Sequence, residues 1–225
     1  MGTTCLEVRR ARMSDATAMG RIFRDSFADT VKDLLPGGAP DGVFEDIMTF
    51  LIRADPDACL VAESGGSVIG YCIAPANMFR IWIRAPLSLR MLRLAWSALL
   101  GDLGLGPRRL LTLLGDKATF FSSFGVARFR GAAQILSVAV DPAARGRGVG
   151  SSLVEAALER LRADGVHFVK LEVRPDNDAA RRMYEKRGFV RQGRTEDSHG
   201  RWLVMLKDLR EDDEEDMENS MRGDV

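Results

Sequence analysis

This chain is poor in the residues from which disulfide staples, metal sites and thiol chemistry are built. Its 225 residues include three cysteines, Cys5, Cys59 and Cys72, an odd number with no C-x-x-C spacing. That excludes a disulfide framework and argues for free thiols in a reducing, cytoplasmic setting. Of its two histidines, His167 and His199, neither has a cysteine nearby in sequence. A structural zinc and a Cys/His nucleophile pair are both excluded on that ground, and no metal is assigned. No secretory leader is expected either, because Arg9, Arg10 and Arg12 stand where its apolar core would begin. The opening Met-Gly-Thr-Thr-Cys-Leu carries Leu6 where a myristoylation start needs Ser or Thr. No uncharged apolar run reaches the roughly 18 residues a membrane span requires, and no internal repeat is present.

Net charge is also absent: 32 basic residues balance 32 acidic ones. No nucleic-acid partner is expected. The balance conceals two opposed segments. From Asp208 to Val225 nine acids face only Arg210 and Arg222, a net of −7. Between Met78 and Arg130 nine bases face only Asp102 and Asp116, a net of +7. The acidic tail, 208–225, is expected to be solvated and disordered. The basic segment lies within an apolar stretch, 77–132, that interrupts the surrounding pattern and reads as a helical insert.

Around that insert the periodicity is regular. Leu6 to Arg10 reads as a strand. A helix opens at Ser14-Asp15, carries Met19, Ile22, Phe23, Phe27 and Val31 on one side, and ends at Pro36-Gly37-Gly38. A second helix fits Val43 to Arg53. Ala58–Glu63 and Val68–Ile73 flank Ser64-Gly65-Gly66-Ser67 as a hairpin. After the insert come a strand over Ile135–Val140, a helix over Val149–Ala163, a strand over Val166–Val173 and a helix over Asp176–Arg187 ended by Gly188. Two strands, Phe189–Gln192 and Trp202–Leu206, close the order. The fold class is α/β in the broad sense (α+β), with a mixed sheet flanked by helices, and residues 1–207 form one domain.

The densest chemical signal is Val138-Ala139-Val140-Asp141-Pro142-Ala143-Ala144-Arg145-Gly146-Arg147-Gly148-Val149-Gly150-Ser151. A strand runs into a glycine- and arginine-rich turn that opens into an amphipathic helix. Glycines let backbone N–H groups approach an anion, and the helix N-terminus favours one. A P-loop would need Gly-Lys-Ser/Thr, which is missing. A dinucleotide turn would need a third glycine where Ser151 stands, and would follow its strand without the intervening Asp141–Ala144. A coenzyme A turn of the pattern Gln/Arg-x-x-Gly-x-Gly/Ala is met by Arg145, Gly148 and Gly150.

Together with Leu171-Glu172-Val173-Arg174-Pro175-Asp176-Asn177 and with Ala180, Tyr184, Gly188 and Phe189, this turn resembles the GNAT N-acetyltransferases. The later pieces are most similar to ribosomal-protein alanine N-acetyltransferases. The resemblance covers residues 134–206 and, with weaker motifs, the N-terminal half; the insert falls between the family's third and fourth strands. It implies the acyl-CoA N-acyltransferase fold, with two strands splayed around the pantetheine arm. Acetyl-CoA would be the acyl donor. The backbone of Val138, Ala139 and Val140 would pair with the arm, and Arg145, Gly146, Arg147, Gly148, Val149, Gly150 and Ser151 would hold the pyrophosphate. Asn177 would bond the arm or simply cap its helix. The Tyr184 hydroxyl would protonate the departing thiolate, and Glu172 would take the proton of the attacking amine. The acceptor, a small-molecule or peptide amine, stays open. So do a non-catalytic acyl-CoA-binding module, a longer acyl chain, a homodimer, and contact of the insert with a membrane surface or acyl carrier.

Overall fold

In the computed structural model, residues 6–34, 38–39, 42–84, 132–197 and 200–210 are described. They build eight strands and six helices in two four-stranded sheets. The first sheet joins β1 (Leu6–Arg10), β2 (Cys59–Ser64), β3 (Ser67–Ile73) and β5 (Ser137–Val140) in that spatial order. The second sheet runs β4 (Ala133–Ile135), β6 (Phe168–Val173), β8 (Gly200–Asp208) and β7 (Val190–Asp197). All pairings are antiparallel except β4 with β6. Between β2 and β3 the turn places Gly65 and Gly66 at φ 59° and 76°. A two-residue turn with both centres left-handed matches the twist of the flanking strands, which is why two glycines sit there.

Helices α1 (Ala16–Ser26), α2 (Ala28–Leu34), α3 (Val43–Ala54) and α4 (Met78–Arg84) precede β4; α5 (Val149–Ala163) and α6 (Asp178–Glu185) follow β5 and β6. The expected single helix from Ser14 onward is in fact a 3-10 turn, Met13–Asp15, then α1 and α2, with a break at Phe27 (φ −118°, ψ 32°). Its apolar spacing runs straight through that break, so periodicity alone could not locate it. Helices α1 and α3 cover one face of the first sheet, packing Met19, Ile22, Met48 and Ile52 onto Val61, Tyr71 and Ile73. Helix α5 covers the other, where Leu153, Val154, Ala157 and Leu161 meet Leu60, Ala62 and Cys72 and continue into Val169, Leu171 and Met205 of the second sheet. A chain buried on both faces needs runs of apolar residues, as β2 and β3 have. Most of the insert, 85–131, and all of the tail beyond Arg210 lie outside the described residues, as do the expectations made for them.

One polar network fixes the first strand to the first helix. Asp15, 6% exposed, accepts from Arg12 N at 2.7 Å and from both terminal nitrogens of Arg9 at 2.7 and 3.1 Å. Arg9 Nε also donates to Glu63 at 2.8 Å. Burial pushes the Asp15 carboxyl upward, but the Arg9 guanidinium and the Arg12 N–H outweigh it and hold it below 3.8, its ordinary value. A carboxyl whose folded value is depressed stabilises the fold above the unfolded value, and loses that contribution as pH falls through the folded one. Asp15→Ala is therefore expected to cost about 3 kcal/mol at neutral pH. In urea titrations the deficit should shrink below about pH 4; an equal deficit at pH 7 and pH 3 would mean that the charge contributes nothing.

Candidate active site

The expected strand 135–140 divides at Leu136, and the division makes the site. Before it, Ala133, Gln134 and Ile135 pair in parallel with Val169, Lys170 and Leu171. After it, Ser137 to Val140 pair with Ile73 to Gly70 of the other sheet. The Leu136 N–H itself donates to Ile73 O at 2.8 Å. Beyond Leu171, β6 keeps β8 on one side and has no strand on the other among the described residues. The two strands part, leaving an edge of β5 backbone groups facing a gap.

At the far end of β5 the chain turns in a fixed way. Asp141 Oδ1 accepts from Ala143 N at 3.0 Å, capping a short 3-10 turn (Pro142–Ala144), while its other oxygen takes Arg21 at 2.8 Å. Arg145 folds back, donating from Nε to Val140 O at 3.1 Å and from Nη2 to Ser26 Oγ at 3.1 Å. Gly146 and Gly148 then take φ 75° and 81°, a conformation that a side chain disfavours. Gly148 is also the N-cap of α5, so no capping side chain accepts from the first-turn N–H groups. Uncapped donors at the positive end of a 15-residue helix make a natural anion seat.

Cradle and gap are continuous. A cleft of about 530 Å³ is bounded by Val138, Ala139 and Val140 on the β5 side, by Arg145, Gly146 and Gly148 to Ser151 at the turn, and by Asn177, Ala180 and Tyr184 across from them. Of the expected site residues, the cleft gathers all but two. Arg147 is exposed beside it, and Glu172 is half-buried elsewhere. Six lining residues were not anticipated as site residues: Ser26 and Phe27 where α1 ends, Ala144 in the turn, and Ala179, Ala180 and Met183 on α6. Helical spacing from Ala180 would have found Met183, three residues on and on the same side of the helix. Ser26 meets Arg145 across 119 positions of sequence, and nothing local signals that.

Each chemically distinct residue has a definite setting. Asn177 Oδ1 accepts from Ala180 N at 3.1 Å, so it caps α6 while still facing the cleft. Tyr184, 7% exposed, packs edge-on to Phe189 with ring centroids 5.6 Å apart. Its hydroxyl has no hydrogen-bond partner among the described residues, and burial raises the phenol above its ordinary value. Leu171 and Val173 point into the core shared with Tyr184. Glu172, between them, faces the opposite side of the sheet with Lys170. Burial lowers the Lys170 ammonium from its usual value, opposed by the Glu172 carboxylate. Tyr184 thus lines the cleft, while Glu172 lies on the opposite face of β6, outside the cleft lining. Cys59 and Cys72 are buried, and burial pushes both thiols up to about 12, so neither is a nucleophile at neutral pH. Among the described residues there is no cluster of metal-ligating side chains, and no helix long and apolar enough to cross a membrane.

Comparison with known proteins agrees with this geometry. Mycothiol acetyltransferase from Beutenbergia cavernae is 41% identical over 76 residues, 34% of this chain and 26% of that protein. The chain thus spans about a quarter of the length of that relative. The solved structure of yncA from Salmonella typhimurium, a putative acetyltransferase with its cofactor acetyl-CoA, superposes with a TM-score of 0.58 at 17% identity, covering 91% of this chain and 94% of that one. Ribosomal-protein-alanine N-acetyltransferase from Brucella melitensis gives a TM-score of 0.58 at 20% identity over 90% and 99%. These two likenesses establish the fold. The profile of the acetyltransferase (GNAT) family matches residues 21–189, most of the described core with its cradle and Tyr184. The chain belongs to the GNAT acetyltransferase family.

Proposed function

We propose that this protein is an N-acetyltransferase that transfers acetyl from acetyl-CoA to a primary amine by direct attack. The observation that carries the reading is the continuous cleft, with uncapped helix donors at one end, a free strand edge along its wall and a tyrosine in its lining whose hydroxyl has no hydrogen-bond partner among the described residues. Acetyl-CoA would supply an activated thioester. The turn from Arg145 to Ser151 suits its pyrophosphate, because first-turn N–H groups and the helix dipole favour a negative group there. Arg147, exposed beside the turn, adds positive charge. The edge of Val138, Ala139 and Val140 can pair with an amide-bearing arm as a partial extra strand, and a β5 N–H there would polarise a carbonyl. Asn177 both caps α6 and presents its side chain to the arm.

Tyr184 and Glu172 divide the proton work. An amine must be neutral to attack, and Glu172 would accept its proton, directly or through a water. Tyr184 would give a proton to the thiolate as it leaves. A phenol raised by burial stays protonated at neutral pH, and a leaving thiolate is a sufficient base for it. Placing the two groups on opposite faces of the sheet keeps acceptor and coenzyme on separate sides of it.

The test is acetyl-CoA consumption, followed as free thiol, across amino sugars, N-terminal peptides, amino acids and lysine peptides, with coenzyme binding followed by thermal shift. Release with one acceptor class supports the reading and names the acceptor. Binding without release from any amine would favour an acyl-CoA-binding module or a longer acyl donor. Absence of binding would remove the cradle assignment.

A further inference from the structure

Beyond α6 from the coenzyme cleft lies a second cavity of about 300 Å³, lined by Pro175, Leu203 and four arginines: Arg181, Arg191, Arg194 and Arg201. No residue lines both cavities. The arginines reach this place by a specific irregularity. Arg191 stands opposite Met205 and Arg194 opposite Leu203, with a register shift between Arg191 and Gly193. Residues three apart in a regular strand point to opposite faces; the extra residue at the shift turns both arginines to the same face. Met205 and Leu203 are both buried in the core cluster that contains Tyr184, so this is the face toward α6. Arg201, two residues before Leu203, shares it. Arg181 approaches from α6 itself.

The charge here is unbalanced. Arg181 Nη1 is held by Pro175 O and Asp178 Oδ1, each at 2.8 Å. The side chains of Arg191, Arg194 and Arg201 make no hydrogen bond or ion pair with described residues. Glu196 stands opposite Arg201 in the ladder without forming an ion pair to it. Like charges gathered around one cavity repel, and three guanidinium forks without acceptors among the described residues have the geometry for oxygen-rich anions. A single carboxylate satisfies one fork; four guanidiniums around one space match a group with several charged oxygens.

We propose that this pocket is an anion site, separate from the glycine cradle, that takes the phosphoryl or pyrophosphoryl group of a small molecule. It does not depend on the acetyltransferase reading. Inorganic pyrophosphate is the probe, titrated calorimetrically into the full chain with coenzyme A saturating, so that the cradle is filled. Citrate serves as the carboxylate comparator. The double variant Arg194→Ala, Arg201→Ala should weaken pyrophosphate on the order of tenfold or more, with acetyl-CoA affinity and the circular dichroism spectrum unchanged. Unchanged pyrophosphate affinity in that variant would overturn the site. A parallel loss of acetyl-CoA affinity would make the pocket part of the donor site instead, and citrate binding as tightly as pyrophosphate would overturn the phosphoryl assignment.

Discussion

Replacing Tyr184 by phenylalanine is expected to lower the rate of acetyl transfer on the order of 100-fold while leaving acetyl-CoA affinity close to that of the parent chain. The ring is held by Phe189 and the α6-side core, Tyr184 lines the cleft, and its hydroxyl has no hydrogen-bond partner among the described residues. Removing that oxygen therefore leaves packing intact and breaks no internal hydrogen bond. What disappears is a proton donor positioned by the fold. A thiolate then leaves unprotonated or takes its proton from water, so the loss falls on kcat. Single-turnover rates and thermal shifts with coenzyme A separate the two quantities. An unchanged rate would remove Tyr184 as the acid; a matched loss of binding would make it a wall of the cleft and no more. Pairing it with Glu172→Gln is informative, because the two lie on opposite faces of β6. A carboxylate that takes the amine's proton should show its defect most clearly at low pH, where fewer acceptor amines are neutral.

Much of this site can be read locally. The turn from Arg145 to Ser151 is contiguous, its glycines have a conformational reason, and the helix it opens runs over the expected Val149–Ala163. The β2–β3 hairpin is likewise local, because paired glycines between two β-rich runs leave few alternatives. What depends on partners is not legible in that way. Ile135–Val140 reads as one apolar strand, yet its two halves belong to different sheets, and no residue type encodes which neighbour each half will find. Phe27 satisfies helical spacing and still ends α1, which is how Ser26 and Phe27 come to line the cleft. The arginine pocket is hidden more thoroughly. Arg191 and Arg194 face the same way only because of a register shift that alternation cannot anticipate, and Arg181 joins them from another element.

Enlarging Gly150 to leucine is expected to abolish coenzyme binding without lowering the melting temperature, and the reason separates this glycine from its neighbours. Gly146 and Gly148 are left-handed, at φ 75° and 81°, so any side chain there strains the backbone and deforms the turn. Gly150 lies in the first turn of α5 with helical geometry, where glycine is a poorer helix former than leucine by about 0.8 kcal/mol. A Cβ at that position would meet Val140 Cγ2 at 3.5 Å and Met183 Sδ at 3.7 Å, ordinary contact distances. Conformation does not demand a glycine here, and a single methyl fits. Anything longer projects between β5 and α6 into the cleft, toward the space assigned to the coenzyme. Gly150→Ala should then retain binding, weakened by less than about tenfold, as a modest contact change predicts. Gly150→Leu should lose at least about 100-fold, because the side chain occupies the volume itself. Thermal shift reads both consequences in one experiment: parent and Gly150→Ala should be stabilised by acetyl-CoA, whereas Gly150→Leu should melt at or above the parent's ligand-free temperature and fail to respond. A leucine variant that still shifts with acetyl-CoA would put the coenzyme somewhere other than this cleft. A leucine variant that is itself unstable would mean that the glycine serves close packing against Val140 and Met183.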